Sequence, residues 1–131
     1  MTADTSGWRE GGNAGVTRPR VLDVRTYRLV PGRRAEFHEL ARNGAVPMLA
    51  RFGISVVAYG PSADADDMYF LIRAFADGRT RKEQLAAFYG SDEWRREHGD
   101  AVAALIVEYH VVVIDVTADV GAAFAALMGR T

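Results

Sequence analysis

The chain predicts an α+β domain: one four-stranded antiparallel sheet with helical crossovers over a single face. Three observations carry that prediction. The extended run Val21–Val30 breaks at Pro31-Gly32 and passes directly into an amphipathic helical stretch. Two more extended runs, residues 54–60 and 68–76, are separated only by the polar loop Pro61-Ser-Ala-Asp-Ala-Asp-Asp67. A second helical stretch then leads to a last run rich in β-branched residues, Val107–Val116. Strand, helix, strand, strand, helix, strand is the split β-α-β order of ferredoxin-like domains.

The first strand alternates Val21, Asp23, Arg25, Tyr27 and Leu29 on one face with Leu22, Val24, Thr26, Arg28 and Val30 on the other. The next helix, over residues 33–51, sets Phe37, Leu40, Ala41, Gly44, Met48 and Phe52 on one stripe. Pro47 lacks an amide donor, so a kink or break is expected near Gly44, and Gly53 ends the helix. Residues 80–89 form the second crossover helix, carrying Leu85 and Phe88. Ser91 caps a short turn through Trp94 to His98, and Asp100 can cap another through Leu105. Asp119 is expected to cap a tail helix with Val120, Phe124, Leu127 and Met128 on one face. Residues 1–19, polar and glycine-containing, are expected to be a flexible N-terminal tail in which Trp8 is the one large apolar group. The domain proper is read as residues 20–117, with a C-terminal helical tail over 118–131.

Composition narrows the function classes. The 131 residues hold 16 basic and 17 acidic side chains with no basic stripe, which gives nucleic-acid binding no electrostatic support. Fifteen of the basic residues are Arg and only Lys82 is Lys. With no Cys, disulfides, thiolate metal sites and a Cys nucleophile are excluded. No secretory signal or membrane-spanning run is evident, so the expectation is a cytoplasmic protein with no membrane partner. The His and carboxylate residues show no local metal-ligand spacing, and nucleotide and hydrolase motifs are missing, so neither metal nor cofactor is expected.

Helices on one side leave the other sheet face bare, and neither face is polar. With Met68, Phe70, Ile72 and Ala74 toward the helices, Tyr69, Leu71, Arg73 and Phe75 point outward. With Ile54, Val56 and Ala58 toward them, Val57 and Tyr59 do. A patch of that size marks an interface or ligand surface. Two sheets facing each other would close a shared chamber, so a dimeric α+β barrel formed by an isologous homodimer is expected.

The segment Leu22-Asp-Val-Arg-Thr-Tyr-Arg-Leu-Val-Pro-Gly-Arg-Arg-Ala-Glu-Phe37 resembles the opening of NIPSNAP-type proteins, in which an (E/D)-x-R-x-Y strand runs into Pro-Gly and a helix. Ser91-Asp-Glu-Trp94 resembles that family's (D/S)-P-E-W turn, with Asp92 in place of Pro. The resemblance covers roughly residues 20–117. It implies the dimeric α+β barrel superfamily, whose members include cofactor-free quinone-forming monooxygenases, lactone isomerases, polyketide cyclases and haem-degrading enzymes. It fixes a cavity and not a chemistry. Only this analogy suggests haem, with His110 or His38 as a conceivable axial ligand, and the expectation stays that no cofactor is bound.

Candidate site residues follow from strand parity. If Leu22, Val24 and Thr26 face the helices, Arg25 and Tyr27 face the barrel, and Arg73 on the neighbouring strand joins them. Two arginines in a partly apolar chamber suit a carboxylate, enolate or phenolate; the alternative is that Arg25 pairs with Asp23 or Glu108 as interface glue. Glu108 and His110 share a face of the last strand and can form an acid/base pair; the alternatives are a satisfied sheet histidine, or the opposite parity with Tyr109 inward. Tyr59 and Tyr69 are wall candidates for a flat ligand or plain dimer core. Trp94 is a candidate for the chamber mouth or a packing anchor. His38 borders the first helix's apolar stripe and reaches the chamber or solvent. Two functions stay open: a cofactor-independent monooxygenase, isomerase or cyclase of specialised metabolism acting on an aromatic, polyketide-like or lactone molecule, or a non-catalytic ligand-binding or protein-interaction dimer.

Overall fold

Strand β1 (Val21–Leu29) is the axis of the domain, because it is hydrogen-bonded on both sides. In the computed structural model, which describes residues 19–116 and 118–129, the chain continues through α1 (Arg34–Leu40), a turn of π-helix (Ala41–Ala45) and α2 (Val46–Arg51). It then forms β2 (Ser55–Pro61), β3 (Met68–Phe75), α3 (Gly78–Tyr89), a second π-turn (Trp94–His98), α4 (Gly99–Ala104), β4 (Ile106–Asp115) and α5 (Ala118–Gly129). The sheet order is β2-β3-β1-β4 with every pairing antiparallel, the ferredoxin-like arrangement that the element order predicts. Trp8 and the rest of the expected tail before Pro19 lie outside the described residues.

The kink expected at Pro47 takes a specific form. Helicity is unbroken from Arg34 to Arg51, but Val46 N–H donates to Ala41 O, five residues back, so one turn widens just before the proline. Such a wide turn accommodates a missing donor without ending the helix. Gly53, at φ +77°, then ends it in the left-handed region. Helix α3 starts at Gly78, two residues earlier than expected, because Asp77 accepts a hydrogen bond from Thr80 N–H at 2.7 Å. Ser91 caps the next helical turn, accepting from Trp94 N–H at 3.2 Å. Asp119 is not a cap; it sits in the first turn of α5, where its charge favours the helix dipole.

Sheet parity corrects the sequence reading. Tyr27, Leu29, Tyr69, Leu71 and Phe75 form one buried cluster with Phe37, Met48 and Leu49 of the first helical layer and Leu85 and Phe88 of α3. The helices therefore cover the Val21–Asp23–Arg25–Tyr27–Leu29 face. Leu22, Val24 and Thr26 take the opposite face, paired across the sheet with Ala74, Ile72 and Phe70. In β2 the alternation fails altogether: an irregularity between Val56 and Ala58 puts Val56 opposite Arg73 and Tyr59 opposite Leu71, both on the helix side. One extra residue reverses parity, and no residue type in Ser-Val-Val-Ala-Tyr announces it.

Leu29 has no solvent exposure and lies in the middle of the core. Leu29→Ala is expected to lower unfolding stability by about 2–5 kcal/mol, measured by denaturant titration; a change below about 0.5 kcal/mol would mean that the core is not closed there.

Candidate functional site

Three successive rungs of the sheet build the site's floor. Across β3, β1 and β4 the first reads Tyr69, Tyr27, Tyr109. The second adds β2 and reads Tyr59, Leu71, Arg25, Val111, and the third reads Val56, Arg73, Asp23, Val113. Side chains in adjacent rungs two residues apart point the same way, here toward the helices. Above the first two rungs lies a cavity of about 310 Å³. All five tyrosines of the chain line it, with Arg25, Trp94, Phe37 and Phe88. Its roof is made largely of small residues of the two π-turn regions: Ala41, Ala45 and Val46 on one side, Gly99, Val102 and Ala103 on the other. Gly44 is needed where these regions meet, because a Cβ there would stand 2.9 Å from the His98 ring.

The third rung holds the site's charges. Asp23 is fully buried, and three guanidinium groups surround it. Arg73 Nη2 donates to Oδ1 at 3.2 Å, Arg81 Nε donates to Oδ2 at 2.7 Å, and Arg25 Nε lies 3.5 Å from Oδ1. Three cations against one anion leave two positive charges in excess. Arg73, also fully buried, gives a second hydrogen bond from Nη1 to the Tyr89 hydroxyl at 3.0 Å. Burial opposes its charge, but Tyr89 and Asp23 outweigh this and hold the guanidinium above its ordinary basicity. Arg25 lies over the rings of Tyr109 and Tyr89, at 5.5 and 5.6 Å from their centroids, and its buried Nε has no hydrogen-bond acceptor. It is the charged residue that reaches the cavity. Arg25 thus joins both roles considered for it: it pairs with Asp23 and presents a cation to the hollow.

Tyr27 and Tyr69 are kept neutral. Burial, aided by Tyr89, pushes the Tyr27 hydroxyl up to about 12 against the opposing pull of Arg25. Burial likewise raises Tyr69, reinforced by Tyr59 and Tyr27. The Tyr69 hydroxyl lies 2.6 Å from Nδ1 of half-buried His38. Trp94 lines the cavity and packs on Phe88 and Tyr89 at 5.0 and 5.3 Å between centroids.

Two expectations are corrected. The hollow that Arg25 and the tyrosines line is on the helix-covered side of the sheet, and not on the bare face where strand parity had put them. Glu108 and His110 share a face and are hydrogen-bonded at 2.9 Å, but that face is the one away from the cavity. His110 is 72% exposed, and Arg28 rather than Arg25 pairs with Glu108, holding its carboxyl below the usual range. Tyr109 takes the inward place. Sequence reasoning missed Tyr89 and Arg81, although a signal existed: Arg81, Leu85 and Phe88 stand at helical spacing i, i+4, i+7, and Tyr89 follows Leu85 by four. It also missed the grouping of Glu93, Glu97 and His98, whose ligand-capable atoms lie within 4.8 Å of one another. Glu93 is already held by Arg51 at 2.7 Å.

Site and fold together define an α+β protein with an internal aromatic cavity, and the comparisons give its family. The NIPSNAP family profile matches residues 22–119, three quarters of the chain, so the chain belongs to the NIPSNAP family. No curated protein matches it. It is similar in fold to a NIPSNAP family protein from Agrobacterium tumefaciens (16% identity, 75% of this chain and 93% of that one, TM-score 0.69). An uncharacterized NIPSNAP domain protein from Burkholderia xenovorans is similar too (14%, 75% and 95%, TM-score 0.68). So is a putative antibiotic biosynthesis monooxygenase from Nitrosomonas europaea (15%, 79% and 96%, TM-score 0.61). Among the described residues no helix is long and apolar enough to cross a membrane.

Because Tyr27 binds its proton more tightly when folded, stability should be constant below about pH 10 and fall as pH rises toward 12, by roughly 2–3 kcal/mol from this group. Urea titrations at about pH 9.5, below that window, and at about pH 11.5, within it, should show the loss, and Tyr27→Phe should reduce it. Asp23→Asn should cost about 3–5 kcal/mol, because it strands buried Arg73; thermal denaturation would reveal it.

Proposed function

We propose that this protein binds a small aromatic, polyketide-like or lactone molecule bearing a carboxylate, enolate or phenolate, with the anionic group on Arg25 and the ring system among the tyrosines. One observation carries this reading: Arg25 enters an aromatic cavity from a cluster with two positive charges in excess and keeps an unsatisfied buried N–H. A buried guanidinium needs a counter-charge, and an anionic ligand supplies one. The flat rings and a volume of about 310 Å³ suit one or two fused rings. The likeness in fold to a putative antibiotic biosynthesis monooxygenase favours an oxygenase-type activity, which the resemblance read from the sequence widens to a cofactor-independent oxygenase, isomerase or cyclase of specialised metabolism. The alternative, a non-catalytic binding module, uses the same site.

The protein is read as a cytoplasmic homodimer. The sheet face away from the helices supports this: Val24, Phe70 and Ile72 are half-buried there and Val112 is 58% exposed, an apolar strip across three strands. An isologous sheet-to-sheet contact would cover it. Sedimentation at micromolar concentration should give a dimer, and Val112→Glu should shift it to monomer; a wild-type monomer would refute the dimer.

Phenylpyruvate, an aromatic 2-keto acid, should bind as measured by calorimetry, and Arg25→Gln should weaken it by roughly 10–100-fold, the effect of losing a charged hydrogen bond. The neutral analogue phenylacetone should bind no better to wild type than to the variant. Equal binding of phenylpyruvate by both proteins would remove Arg25 from the site.

A further inference from the structure

We propose that His38 and Tyr69 form a proton relay serving the cavity, with Tyr69 as the acid–base group that meets the ligand and His38 as its connection to solvent. The proposal rests on the reading of the cavity as a site for aromatic anions and adds the reaction class: proton transfer at a carbon or oxygen of an enolisable ligand.

Three placements carry it. The Tyr69 side chain is buried and lines the cavity on the rung next to Arg25. Its hydroxyl meets His38 Nδ1 at 2.6 Å, a short contact between a phenol and an imidazole. His38 itself is half-buried in the outer helical layer and does not line the cavity, so its ring bridges the tyrosine and the exterior. Burial keeps the Tyr69 proton in place until a partner accepts it. Tyr59 of β2 also faces the His38 ring, at 6.1 Å between centroids. On His38's own helical segment the charged neighbours are Arg34, Glu39 and Arg42; Glu39 and Arg42 pair with each other, and Arg34 is bonded to the Ala65 and Met68 carbonyls. Its hydrogen-bond partner is a neutral phenol and not a carboxylate, which leaves the ring able to alternate between acceptor and donor.

The transfer balances without any further reactant. With His38 protonated, its Nδ1–H donates to the Tyr69 oxygen. The Tyr69 O–H bond breaks as its proton passes to the enolate carbon of the ligand. The His38 N–H bond breaks in turn and restores the Tyr69 hydroxyl, and His38 regains a proton from water. The reverse sequence removes the proton, so the net reaction is a keto–enol or double-bond shift. Arg25, one rung away, holds the negative charge that the enolate carries.

Phenylpyruvate tests this in deuterium oxide, with exchange of its benzylic hydrogens followed by proton NMR and binding measured alongside. Wild-type protein should accelerate exchange above buffer. His38→Gln should bind the probe as wild type does, Tyr69→Phe, which keeps the ring, should still bind it measurably, and both should lose tenfold or more of the accelerated rate. The wild-type rate should vary with pH, and the profile of His38→Gln, which keeps a polar side chain opposite Tyr69 but has no ionisable ring, should be flat. Binding without accelerated exchange, or exchange that survives both substitutions, overturns the relay and leaves the anion site standing. Failure of wild type to bind phenylpyruvate overturns the anion site and the relay with it.

Discussion

A carboxylate without solvent at the centre of a sheet has to be answered by cations, and most of this molecule's arrangement follows from how Asp23 is answered. Arg73 reaches it from directly across the β1–β3 pair, and Arg81 reaches it from α3. The one residue therefore ties two strands and a crossover helix together. It also fixes which way β1 faces. Once Asp23 is turned toward the helices, Arg25 and Tyr27 must turn with it, because they are two and four residues further along. The aspartate, arginine and tyrosine of the D-x-R-x-Y strand thus divide three tasks: anchoring the charges, presenting one of them, and paving the floor.

Stability alone does not call for this cluster. A buried ion pair exchanged for well-packed apolar groups of the same volume is often no less stable. Three guanidinium groups about one carboxylate also exceed neutrality, which a purely structural pair would not need. The excess reaches the cavity side at Arg25, whose ring neighbours Tyr89 and Tyr109 accept its charge through their faces while its buried Nε keeps no hydrogen-bond acceptor. A ligand anion completes what the protein leaves incomplete.

The order of elements was legible because each strand-to-helix switch carries a local mark: Pro31-Gly32, Gly53, Ser91 and the polar loop before Met68. Parity was not, because hydrophobicity is nearly even across both faces. Met68, Phe70 and Ile72 look more like core than a face containing Arg73, yet Arg73 is buried and they are partly exposed. The missing information is pairwise: Arg73 belongs inside only because Asp23 stands opposite it. Glu108 and His110 became site candidates for a separate reason: the register that sets Tyr109, and not His110, opposite Tyr27 is a property of the β1–β4 pair and is not written in either strand alone. Arg25, Tyr27, Tyr59, Tyr69 and Trp94 survive as lining residues because the hollow itself moved to their side of the sheet.

Why there is a hollow at all is a matter of side-chain size and helix geometry. The floor is laid with long side chains, but the roof is made largely of three alanines, two valines and a glycine. Both roof segments border π-turns, and each wide turn adds a residue to its helix and rotates the next turn about the axis. Gly44 lets the two segments touch at His98, and Gly99 leaves room for the Trp94 ring of its own segment, whose Nε1 lies 3.0 Å from where a Cβ would be. A regular helix with leucines at the same places would fill the gap and give a conventional core. The open space is therefore specified by sequence, through Pro47, the small roof residues and the two glycines, and it lies directly above the one charged side chain that the described floor offers to it.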